Sequence, residues 1–195
     1  VRKAAFSIAT TSAAVVASAV LVACSGSSTE TSTAPVHSTA AVSLPSGLAP
    51  KGQTVDGTIT RVVDGDTVHV DVDGQDVTVR MIGINTPETV KPGSPIECFG
   101  PEASQFAKDA LTGQPVTLEF DASQGMTDKY DRTLAYVWHP VDGVLSLFNL
   151  EAVAGGYAFE RQYGSSPYAW ADEFRAASKR AKGAGLGLWG ACDQP

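Results

Sequence analysis

Positive charge is scarce in this chain: 14 Lys and Arg face 21 Asp and Glu, for a formal net charge of −7. Proteins that hold polyanions through bulk charge lean basic. Any grip on nucleic acid must therefore come from a few placed cations, not from a basic face. Cysteine is nearly absent, with three in 195 residues. Cys98 and Cys192 have no Cys or His close by in sequence, which argues against zinc. None of the three histidines carries an obvious role: His37 sits in a polar stretch, His69 reads as a solvated strand residue, and His139 precedes a proline. Long apolar runs are missing too. The most apolar stretch, "VRKAAFSIATTSAAVVASAVLVAC", is Ala/Ser-rich and short for a membrane span of about 20 apolar residues. No internal repeat is visible.

Three compositions divide the chain. Residues 1–24 carry Arg2 and Lys3, a weakly apolar run, and then "LVAC", the layout of a secretory signal. The tetrapeptide resembles a bacterial lipobox, which implies acylation of Cys24 and a place on the outer face of the cell membrane, or secretion. Residues 25–52 are rich in Ser, Thr, Ala and Pro, too poor in large apolar groups to offset chain entropy, and read as a disordered tether. Residues 53–195, about 140 positions, are enough for one domain. With Cys24 committed to lipid, Cys98 and Cys192 remain as a pair, and an exported protein favours a disulfide between them.

Within the domain, "TVHVDVD" (67–73) alternates strictly, with Val68, Val70 and Val72 on one face. An Asp-Gly hairpin signal leads into "DVTVRMIGI" (76–84), whose Val77, Val79 and Met81 fall on the same face. "TVDGTITRVVD" (54–64), "PVTLEFD" (115–121) and "RTLAYVWH" (132–139) complete five predicted strands. Helices are predicted over 100–113, 145–158 and 168–182, the first opened by Pro101 and stopped by Gly113. The order β-β-β-α-β-β-α-α is that of an α+β, mainly β domain: a five-stranded OB-fold barrel with three α-helices. An open α+β sandwich is the rival.

The polar clusters matter most. "DGDT" (64–67) puts Asp64 and Asp66 at a corner between strands, and Asp66 shares parity with buried valines. A carboxylate so placed needs a partner, since an unpaired buried charge costs several kcal/mol. Arg80 sits in an apolar strand that ends in "NTPE" (85–88), and "TDKYDR" (127–132) brings Arg132. Asp66, Asn85 and Thr86 can supply oxygen ligands to calcium. Glu88 can accept a proton from water, and Arg80 with Arg132 can grip phosphoryl oxygens. Strand parity sets Arg80 opposite Asp66, so their convergence requires a bend near Gly65 or Gly83.

The strings "VVDGDTV", "VRMIGINTPET", "FGPEASQFAK", "TDKYDRTLAYV" and the terminal "GLW", in this order, resemble the thermonuclease family over roughly residues 58–190. The resemblance implies calcium held by Asp66 and the Thr86 carbonyl, with Asp64 acting behind them. It implies Arg80 and Arg132 on the scissile phosphate, Glu88 as general base, and Lys129 and Tyr130 on nucleotide phosphate. The reaction implied is calcium-dependent cleavage of DNA and RNA to 3′-phosphate ends by a monomer. Tyr157 and Tyr163 are candidate nucleotide contacts. Asn85 departs from the family's aspartate and removes one negative charge from the ligand set. The alternative reading is a surface module that binds nucleic acid without cutting; the retention of Arg80, Glu88 and Arg132 favours the enzyme.

Overall fold

The computed structural model describes residues 44–45, 47–89, 93 and 95–193. The expected signal segment, Cys24 and the tether as far as residue 43 lie outside them. Along the chain run β1 (Thr54–Val62), β2 (Thr67–Val72), β3 (Gln75–Met81), β4 (Ile84–Asn85), α1 (Gly100–Leu111), β5 (Pro115–Glu119), β6 (Thr133–Val141) and β7 (Val144–Leu147). Then follow α2 (Phe148–Ala154), β8 (Phe159–Glu160), α3 (Ala171–Gly183) and the short α4 (Leu188–Ala191). Among these described residues, no helix is long and apolar enough to cross a membrane.

The main sheet runs β3-β2-β1-β5-β6-β7, and β6 returns to pair in parallel with β3. That parallel pairing, Val79 opposite Thr133 and Met81 opposite Ala135, closes β1, β2, β3, β5 and β6 into the expected five-stranded barrel. The β2–β3 hairpin turns through Asp73 (φ 52°) and Gly74 (φ 82°), the two positive φ angles of the tightest hairpin turn. Its register sets Val68 against Val79 and Val70 against Val77, so both strands bury one apolar face. α1 seats Ala103, Ala107 and Leu111 on the barrel, while α3 buries Phe174, Ala177 and Ala181, packs chiefly on α2, and meets the barrel where Phe174 lies edge-on to Tyr136.

One predicted helix is wrong at its start. Residues 145–147 form part of β7, with Leu147 paired to Trp138 and Leu145 to Pro140. The turn is again Asp-Gly, Asp142 (φ 51°) and Gly143 (φ 79°), so the hairpin chemistry of "VDGV" overrides the helical look of the following apolar run. The helix itself spans only Phe148–Ala154 before Gly155 and Gly156 end it.

The domain also begins earlier than residue 53. Leu44 and Leu48 pack against the core. The backbone N–H groups of Lys51 and Gly52 donate to Glu119 Oε1 at 2.7 and 2.9 Å. Glu119 is buried, and its Oε2 accepts the indole N–H of Trp138 at 2.8 Å and of Trp170 at 3.1 Å. One carboxylate thus joins residues 51 and 52, the barrel and the entry to α3. Cys98 and Cys192 form the expected disulfide, bridging 94 residues of sequence. Closing so long a loop removes about 4–5 kcal/mol of unfolded-state entropy in the chain-entropy model.

Candidate active site

The strand ends on one side of the barrel frame a cleft of about 730 Å³. Asp64, Asp66, Arg80, Asn85, Thr86 and Glu88 line it, together with Lys129, Tyr130, Arg132 and Tyr163. All but one of the noncovalent site residues expected from sequence are therefore brought together. The exception is Tyr157, which stacks on Phe106 with ring centroids 4.1 Å apart and planes 2° from parallel. It packs against the hydrophobic core instead of lining the cleft, its ring engaged by Phe106 and Phe99.

Asp66 is buried and is the hub. Its Oδ2 accepts the Thr86 N–H at 2.9 Å and lies 3.1 Å from Arg80 Nη2, while its Oδ1 accepts the Thr67 hydroxyl at 3.0 Å. The parity conflict is resolved by the bend: Asp66 stands just before β2, where pleat alternation does not yet apply. Arg80 folds along its own strand, its Nη1 donating to the Met81 carbonyl at 2.8 Å. Gly65 makes the close approach possible, since a Cβ there would fall 2.6 Å from Thr86 Cγ2. Gly83 (φ 79°) then turns the chain so that Asn85 and Thr86 return toward Asp66.

Arg80 Nη2 also reaches Asn85 Oδ1 at 3.3 Å and Tyr163 Oη at 3.2 Å. The Tyr163 hydroxyl donates to Asn85 Oδ1 at 2.9 Å. Asp64 Oδ1 accepts the Asp66 N–H at 3.1 Å. Burial, reinforced by the neighbouring Asp66 charge, pushes the Asp64 carboxyl up to about 6. Two carboxylates thus crowd one corner of the cleft beside a single guanidinium.

The opposite wall is built by Asp128, whose part sequence reading missed. Its Oδ1 accepts the N–H groups of Tyr130 and Arg132, and its Oδ2 accepts Arg132 Nε at 2.8 Å and Nη2 at 2.6 Å. Burial would raise this carboxyl, but the hydrogen bonds, led by the Arg132 side chain, outweigh it and hold the group below the usual range. An Asp that binds the backbone two and four residues on is a loop former, and the Asp-Lys-Tyr-Asp run was the available signal. Arg132 Nη1 takes no part in this fork and donates to no described residue.

Glu88 lines the same cleft, its Oε1 accepting the Thr89 N–H at 2.9 Å. Its backbone is clasped by Glu97: the Glu88 N–H donates to Glu97 Oε2 at 2.9 Å, and the Glu97 N–H to the Glu88 carbonyl at 3.0 Å. Arg161, in the irregular segment after β8, is a further cleft residue that no periodicity pointed to.

Taken together, these features define an OB-type barrel with an anion-receptive cleft edged by carboxylates. The chain belongs to the staphylococcal nuclease homologue family, whose model matches residues 78–191. It is 41% identical over 131 residues to the thermonuclease of Staphylococcus hyicus, covering 67% of this chain and 73% of that one. Against the thermonuclease of Staphylococcus intermedius it is 42% identical over 135 residues, 67% and 74% of the two chains. Endonuclease YncB of Bacillus subtilis is 36% identical over 140 residues, covering 69% of this chain and 62% of the relative.

Proposed function

We propose that this protein is a calcium-dependent endonuclease that hydrolyses DNA and RNA to 3′-phosphate ends. Phosphodiester hydrolysis is the activity of its family. The observation that carries the finer reading is the placement of Arg80 and Arg132, from separate strand ends, on the same cleft as Glu88 and the buried Asp66. Arg80, together with the free Nη1 edge of Arg132, donates to the non-bridging phosphoryl oxygens as charge builds on them, the kind of fixed donor worth most in the transition state. Glu88 takes the proton from the attacking water at its carboxylate. Lys129 and Tyr130 hold the adjoining nucleotide.

The donor set suits a hard cation. Asp66 offers a carboxylate, Asn85 an amide oxygen and Thr86 a backbone carbonyl, an all-oxygen group of the kind calcium takes with waters completing its shell, and the Asp64 carboxylate stands behind them. The crowding that raises Asp64 is the strain such a cation relieves. When bound, calcium supplies Lewis acidity toward a phosphoryl oxygen.

Two measurements test this. Plasmid and single-stranded DNA should be cut by the full chain in calcium and left intact in chelator; cutting that survives chelation removes the metal. Binding without cutting at several millimolar calcium would instead mark a non-catalytic module. Asn85→Asp should put an acid back at this ligand position and lower the calcium concentration needed for half-maximal rate, whereas an unchanged requirement excludes position 85 from the ligand set.

Acidity gives a separate check. A buried acid whose folded value is raised from 3.8 to about 6 favours the protonated folded state. Its contribution to metal-free stability is complete below 3.8 and is lost as pH rises through about 6. The ionised form of this neighbouring carboxylate favours calcium, so affinity should fall as pH drops below about 6. Calorimetric titration at pH 7.5 and pH 5 reads this directly; equal affinities would take Asp64 out of the site.

We extend the proposal to export and a lipid anchor at Cys24, with the domain acting as a monomer. Intact mass of the membrane fraction decides the anchor.

A further inference from the structure

Four of the eleven Lys and Arg side chains among the described residues have acidic partners, two of them in the cleft. Arg80 pairs with Asp66, Arg132 with Asp128, Lys51 with Glu173, and Arg175 with Asp172 and Glu160. Two cations lining the cleft do not: among the described residues neither Lys129 nor Arg161 has a carboxylate partner. Each lies instead over a tyrosine, Lys129 Nζ at 4.9 Å from the Tyr130 ring centroid and Arg161 Cζ at 5.8 Å from that of Tyr163. In a chain of net charge −7, a guanidinium kept unpaired in the active cleft is open to an incoming anion.

Arg161 is placed by the site itself. β8 pairs with β4, setting Glu160 opposite Ile84 and Phe159 opposite Asn85. The Arg161 N–H then donates to the carbonyl of Gly83, the hinge of the turn that delivers Asn85 and Thr86. The neighbouring carboxylate of Glu160 is engaged elsewhere, accepting the Tyr168 hydroxyl at 2.8 Å. On the cleft side, the Tyr163 ring has both Arg161 Cζ at 5.8 Å and Arg80 Cζ at 5.7 Å within cation–π range. Two guanidiniums that share one ring are close enough to serve neighbouring phosphates of a strand carrying one charge about every 3.4 Å of rise.

Resting on the nuclease reading, we infer that Arg161 grips a phosphate next to the scissile one and so makes this enzyme favour polynucleotides over short substrates. Arg80 and Arg132 act on the reacting phosphate; Arg161 acts on its neighbour in the strand. Its task is to supply, at one position, the positive charge that the acidic surface does not.

The test compares wild type, Arg161→Gln and Arg161→Lys in the full chain. Fluorescence anisotropy with a labelled single-stranded oligonucleotide, in chelator, gives the slope of log affinity against log salt. Loss of one phosphate contact should reduce that slope by about 0.7 in Arg161→Gln, with Arg161→Lys staying close to wild type. With calcium present, kcat/KM for a long single strand relative to a single-linkage dinucleotide should fall roughly three- to tenfold in Arg161→Gln, through KM. An unchanged salt slope overturns the inference. So does an equal loss of kcat on both substrates, the mark of a residue that only steadies Tyr163. A wild-type protein that binds the oligonucleotide and cuts neither substrate defeats the nuclease reading instead, and leaves the salt slope to decide Arg161 by itself.

Discussion

Replacing Arg80 with Gln is expected to lower kcat by about 10²- to 10³-fold and to destabilise the metal-free protein at the same time. The rate loss follows from removing a fixed donor aimed at developing phosphoryl charge. The stability loss follows from burial: Arg80 and Asp66 side chains are 9% and 8% exposed and sit 3.1 Å apart. Breaking such a pair by removing one member costs about 3–5 kcal/mol, because the other charge stays behind. Here that charge also faces Asp64, so calcium should restore part of the lost stability in this variant. Arg132→Gln offers the contrast. Its side chain is 28% exposed against Asp128, so a comparable loss of rate should come with about 1 kcal/mol or less of destabilisation. Turnover on single-stranded DNA and urea unfolding in chelator, run side by side, separate the two. Wild-type turnover in either variant removes that arginine from the chemistry.

A second large effect lies far from the cleft. Glu119→Leu should cost about 3–6 kcal/mol, a large share of the 5–15 kcal/mol that holds a typical domain. Glu119 is 1% exposed and accepts four N–H groups. A leucine leaves the Trp138 and Trp170 indoles without partners in a dry interior, at about 1–3 kcal/mol each. It also releases the backbone of Lys51 and Gly52, whose anchoring is reinforced by the Lys51 ammonium 3.6 Å from the Trp170 ring centroid. Glu119→Gln keeps one acceptor oxygen and should fall between. Chemical denaturation of the three proteins checks the order, and a Leu variant within about 1 kcal/mol of wild type would show that the four donors find other partners.

What the sequence made legible was local. The Asp73-Gly74 turn and its flanking alternation place two strands and their register, because a two-residue loop leaves one pairing that buries all the valines. Pro101 and Gly113 bracket α1 for equally local reasons. The same Asp-Gly rule applied at Asp142-Gly143 reveals β7, but an apolar run such as "LSLFNL" carries no period that separates strand from helix. The site residues were readable as types and spacings, yet their meeting was not. Asp66 and Arg80 converge through a bend and a long side chain, neither of which strand parity describes. Asp128, Glu97 and Arg161 act from loops, where position is set by tertiary hydrogen bonds. Glu119 had the signal that flagged Asp66, an acid inside an apolar strand, but its partners come from three distant segments. Tyr157 misled for the opposite reason: an aromatic near a cleft in sequence was spent on packing.

The crossed indoles of Trp138 and Trp170, with ring centroids 5.5 Å apart and planes at 65°, give the folded barrel its own optical signature. Chromophores this close couple their transitions, and both are shielded from solvent quenching. The third tryptophan, Trp189, lies apart from them, edge-on to Phe159. Intrinsic emission and near-ultraviolet dichroism will therefore be dominated by the union of barrel and third helix. Events at the chain's end are left to Trp189 to report.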